Sequence, residues 1–79
     1  ALKYFKESLE IRKKIYDNNQ YHPDIATSLN NIGSVYNKKA EYEKALKYLV
    51  EALEIKKVVY KDNPFHPDIA TSLNNIGLV

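Results

Sequence analysis

The sequence predicts an all-α protein, built of tandem antiparallel helix pairs stacked as an α-solenoid over residues 1–79. Three observations carry this reading. The chain repeats itself at one offset, its apolar residues recur at helical spacing, and the connections between helical stretches are short. His22 to Gly33 recurs unchanged as His66 to Gly77, and Ala1-Leu-Lys-Tyr4 recurs as Ala45 to Tyr48, each 44 residues later. Aligning residues 1–35 with 45–79 gives 24 identities in 35 positions. Self-similarity at a period of this size marks a repeat array.

The elements follow in order. The first stretch, near residues 1–16, shares its pattern with the third, near 42–60; both are helix B of a unit. In the third stretch Ala45, Leu46, Leu49, Ala52, Leu53, Val59 and Tyr60 form the apolar side, while Lys47, Glu51, Glu54 and Lys57 alternate in sign outside it. Helix A, near 23–38, starts at Pro23, a residue suited to the first helical position, with Asp24 in the first turn. At 100° per residue Ile25, Leu29, Ile32 and Tyr36 fall on one stripe, flanked by Ala26, Gly33 and Val35. Lys39-Ala-Glu41 joins A to B, and Lys61-Asp-Asn-Pro-Phe65 ends the second B. Another helix A occupies residues near 67–79. Connections this short make neighbouring helices antiparallel.

Composition narrows the function classes. The net charge is +2, so there is no electrostatic case for a nucleic acid or an anionic membrane. No apolar run approaches the roughly 18 residues of a membrane span. Without cysteine there is neither a disulfide nor a thiolate zinc site. No Gly-rich phosphate loop and no nucleophile with a placed base is present, so neither an enzyme nor a cofactor is expected. No signal peptide is visible, and a cytoplasmic location is expected. Methionine is absent, which reads as a segment of a longer chain.

The residues match a known pattern. Leu29-x2-Ile32-Gly33-x2-Tyr36, then Ala45-x3-Leu49, then Ala52, keeps the spacing of the tetratricopeptide signature. The second copy keeps Leu73, Ile76 and Gly77, and the first helix keeps Ala1 and Phe5, with Ser8 for the second alanine. More narrowly, His-Pro-Asp-x-Ala-Thr-Ser-Leu-Asn-Asn followed by Ala-Leu-Glu-Ile-Lys resembles the long repeats of kinesin light chains and related bacterial proteins. The repeat is 44 residues rather than 34, Lys57 stands at the family's proline, and leucine replaces its tryptophan. The resemblance implies a right-handed solenoid that binds peptide segments of other proteins in a groove lined by helix A.

The residues support such a groove independently. The outer sector of helix A holds Thr27, Asn30, Asn31, Ser34, Asn37 and Lys38, continued by Thr71, Asn74 and Asn75 in the second copy. It is polar but nearly uncharged, unlike the outside of helix B, and asparagine can both donate to and accept from a peptide backbone. The same asparagines could instead serve packing between repeats. A carboxylate clamp is not expected, because the positions that would carry its lysine and asparagine hold Asn30 and Ser34. The alternative to a peptide scaffold is an assembly element whose repeats stack and self-associate, and apolar surface on the first and last helices predicts self-association. RNA binding, a third class, would want a basic groove.

Other residues are assigned to structure. His22 and His66 stand at helix starts, too far from other ligands for a metal. Arg12 and Lys56 interrupt the apolar stripe of helix B, and their heads are expected to reach solvent, Asp24 or Asp68. Tyr4, Tyr36, Tyr48 and Tyr60 are expected in the repeat core, with Tyr21 and Phe65 as hydrophobic staples.

Overall fold

A computed structural model describes residues 2–79. Four helices follow one another: α1 (Leu2–Ile15), α2 (Pro23–Lys38), α3 (Tyr42–Val59) and α4 (Pro67–Gly77). α1 packs on α2, α2 on α3 and α3 on α4, a stacked helical solenoid. Cα extents of 35 × 29 × 15 Å describe a slab about two helices thick. Ala1, expected at a small-residue position, lies outside the described residues.

The core explains the spacing of the signature. Ile25, Ala26, Leu29, Ile32 and Tyr36 of α2 are buried together with Ala45, Ala52 and Ile55 of α3 and Leu9 of α1. Gly33 sits where α3 crosses: a Cβ there would stand 2.7 Å from Leu49 Cγ and Cδ2 and 3.3 Å from the Ala45 carbonyl oxygen. The two helices therefore approach so closely that a larger residue at Gly33 would have to displace the Leu49 side chain. Beside this crossing the Tyr36 and Tyr48 rings stack at 5.6 Å, with Lys6 and Lys44 each 5.5 Å from the Tyr36 centroid.

α2 closes in a Schellman turn. The Glu41 N–H donates to the Tyr36 carbonyl (2.9 Å) and the Ala40 N–H to the Asn37 carbonyl (3.0 Å). Ala40 takes the left-handed conformation this requires, with φ 62°, at a place glycine usually fills.

Four sequence expectations need correction. Tyr4 is 71% exposed: its counterpart Tyr48 is covered by Tyr36, and nothing among the described residues plays that part for Tyr4. Phe65 is 93% and Tyr21 52% exposed, so neither staples its helix. Ile55, left off the apolar side of helix B, is buried, because α3 is covered by both α2 and α4 and so has two inner faces. Arg12 does not pair with the Asp24 carboxylate but bonds the Asp24 carbonyl oxygen.

Candidate peptide-binding face and the clasp behind it

Each helix A is anchored at its first turn by the same side chains. His22 caps α2: its Nδ1 accepts from the Asp24 N–H at 3.1 Å, and His66 caps α4 the same way at 3.0 Å. The His22 ring lies flat on Tyr16 at 3.5 Å between centroids and the His66 ring on Tyr60 at 3.6 Å. The Tyr16 hydroxyl donates to Asp24 Oδ2 (2.7 Å), and the Tyr60 hydroxyl to Asp68 Oδ2 (2.9 Å). These bonds to carboxylates push both phenols above their ordinary value. Asp68 is correspondingly held below the usual carboxylate range, first by the Tyr60 hydroxyl and then by Lys56.

The two clasps differ in one member. Arg12 Nη1 donates to both the Asp24 carbonyl oxygen (3.0 Å) and Ser28 Oγ (2.9 Å). Lys56, its counterpart, donates instead to the Asp68 carboxylate at Oδ2, 3.3 Å away, and Ser72 Oγ is buried with no partner. Sequence reasoning overlooked Ser28 and Ser72. Their signal was a polar residue on the edge of the apolar stripe, opposite a cation on helix B.

With its inner face and first turn committed, helix A presents the rest outward. Thr27, Asn31, Ser34 and Lys38 are exposed along α2, and Asn30 and Asn37 are half-buried at the edge of that stripe. Thr27 uses its hydroxyl within its own helix, donating to the Pro23 carbonyl at 3.2 Å. Asn30 Oδ1 is buried without a partner, so this acceptor does not face solvent. In α4, Thr71 and Asn74 are exposed and Asn75 is half-buried. The two copies thus offer different asparagines: Asn31 from the first and Asn74 from the second. Along α2 the exposed stripe carries one cation, Lys38, and no carboxylate.

Among the described residues no group of three or more His, Cys, Asp or Glu could hold a metal, and no helix is long and apolar enough to cross a membrane. A family model described as tetratricopeptide repeat matches the chain twice, over residues 1–58 and 24–79. No curated protein matches it.

Proposed function

The chain belongs to the tetratricopeptide repeat family, whose members generally serve as non-catalytic protein–protein interaction scaffolds, and from that premise we propose that it binds peptide segments of partner proteins along the exposed face of α2 and α4. One observation carries the reading. The stripe Thr27, Asn31, Ser34, Lys38 is exposed and lacks carboxylates, whereas the outer face of α3 carries Lys47, Glu51, Glu54 and Lys57. Solubility alone is served by charges, as on α3. Amides and hydroxyls in a row suit the alternating donors and acceptors of an extended backbone. Lys38 at the end of the stripe supplies a site for an acidic group.

The test compares capture of proteins by the native chain, by a Thr27→Ala/Asn31→Ala/Ser34→Ala variant, and by a Lys47→Ala/Glu51→Ala control on α3. The expected result is loss of captured partners from the first variant alone, with unchanged helicity in all three. Equal capture by the stripe variant and the native chain overturns the proposal.

A further inference from the structure

Glu51, Glu54, Ile55 and Val58 share one face of α3, spaced at three and four residues. Together with the end of α1 and the loop that leads into α2 they line a cavity of about 400 Å³, within the roughly 300–1,000 Å³ of ligand pockets. Every residue of its lining lies between Lys13 and Val58, in the first three helices and the α1–α2 loop.

The floor is apolar. Ile25 and Ile55 are 1% and 4% exposed, and Val58 continues them to the rim. Tyr21 forms part of the wall and is half-exposed. The loop that carries it is tied down. Gln20 Nε2 donates to the carbonyls of Lys13 (3.3 Å) and Tyr16 (3.1 Å) at the end of α1, and the Tyr21 N–H donates to Asn19 Oδ1 (3.2 Å). An aromatic ring that does not staple its helix is thus held beside an open cavity.

The charges around the cavity are unbalanced. Glu51 and Glu54 line it from α3 and Lys13 from α1. Among the described residues none of the three has an ion-pair partner. Glutamates on an outer face serve solubility, but these two also border buried isoleucines and a fixed aromatic ring. That combination suits a ligand with a cationic head and an apolar stem. The repeat keeps the same chemistry: Glu7 and Glu10 match the two glutamates, and Phe65 matches Tyr21.

We propose that this cavity takes an arginine side chain of a partner protein. The guanidinium lies on the Tyr21 ring and donates to the Glu51 and Glu54 carboxylates, while its methylenes cover Ile25, Ile55 and Val58. Arginine fits better than lysine because its flat head stacks and reaches two carboxylates at once. Lys13 opposes the charge of the ligand and holds the affinity down. No residue of the polar stripe on α2 takes part, so a partner held on that stripe alone survives the loss of Glu51, and the two readings fail separately.

The test is an amide chemical-shift titration of the isotope-labelled chain with N-acetylarginine methylamide, beside its lysine and norleucine analogues. The arginine compound is expected to give saturable shifts at Tyr21, Glu51, Glu54 and Val58, the lysine analogue a weaker response and the norleucine analogue none that saturates. Glu51→Gln/Glu54→Gln keeps shape and exposure while removing both charges, and is expected to weaken binding about tenfold or more. Lys13→Gln is expected to tighten it. Circular dichroism checks that each variant keeps its helicity. Shifts that do not saturate or that map to other residues overturn the proposal. So does equal binding of the lysine or norleucine analogue, or an undiminished affinity in the double glutamine variant.

Discussion

Exchanging Arg12 and Lys56 should move stability in opposite directions. Arg12→Lys removes the donor from two acceptors, the Asp24 carbonyl oxygen and Ser28 Oγ, and Ser28 is only 2% exposed. Leaving a buried polar group unpaired costs about 1–3 kcal/mol. The new lysine recovers part of this by reaching the Asp24 carboxylate as Lys56 reaches Asp68, a pair whose carboxylate is partly exposed and which is worth about 0–1 kcal/mol. The net expected loss is about 1–2 kcal/mol. Lys56→Arg reverses the exchange: it supplies Ser72 Oγ, now buried and unpaired, and should gain about 1 kcal/mol. Urea unfolding followed by far-UV circular dichroism reads both, at a concentration where the chain is monomeric and with the slope m unchanged. Serine deletions separate the mechanism from general packing. Ser28→Ala should cost about 1 kcal/mol, Ser72→Ala should be neutral or stabilising, and Ser28→Ala should cost less on top of Arg12→Lys. Equal losses from the two serine deletions would refute the reasoning, because they would mean that Ser72 has a partner as good as Arg12.

Three further expectations use the same assay. Gly33→Ala should destabilise by about 1 kcal/mol, the collision with Leu49 outweighing the better helix propensity of alanine, while Gly77→Ala, with open space around it, should stabilise. Ala40→Gly should raise stability by about 1 kcal/mol by relieving the left-handed conformation at the end of α2, a gain absent if that turn opens in solution. Asp68 has its folded pKa depressed, so its contribution is whole above its ordinary value of 3.8 and is lost as pH falls through the lower folded value. Tyr60→Phe removes the largest cause of that depression and should flatten the acid limb of the stability–pH curve, which an unchanged limb would contradict.

The fold class was legible because two independent periodicities agreed, one of 44 residues and one of a helical turn. What the sequence hid was context. Tyr4 and Tyr48 read alike, but only Tyr48 has a Tyr36 to lie against. Phe65 looked like a staple because it is apolar and precedes a helix cap, yet His66 already organises that cap through Tyr60 and Asp68, and Phe65 has nothing to pack on. Arg12 and Lys56 read as equivalent cations. Only geometry shows that one satisfies a buried serine and the other leaves it orphaned. At the candidate site, the polar character of helix A was readable, but which asparagines reach solvent was not. Identical residues there are exposed in one copy and half-buried in the other, so exposure is set by neighbouring helices rather than by local sequence.

That division suggests where a peptide reader would keep its selectivity. Most of the invariant segment is taken up by the fold: His22 caps, Asp24 accepts from Tyr16, Ile25, Ala26, Leu29, Ile32 and Gly33 are buried, Ser28 meets Arg12, and Thr27 bonds its own helix. The first position at which the two copies diverge after it is Ser34 against Leu78, and both are exposed, Leu78 to 69%. The copies thus differ at a position that in α2 is exposed on the polar stripe. On the peptide-binding reading, Ser34→Leu should change which peptides are captured from an immobilised set while shifting stability by no more than about 0.5 kcal/mol, the range for surface substitutions. A hydroxyl is traded for an apolar contact, so ligands with an apolar residue at that register should be gained and polar ones lost. An unchanged capture profile would show that this position is not read. A large stability change would show that Ser34 serves the fold after all.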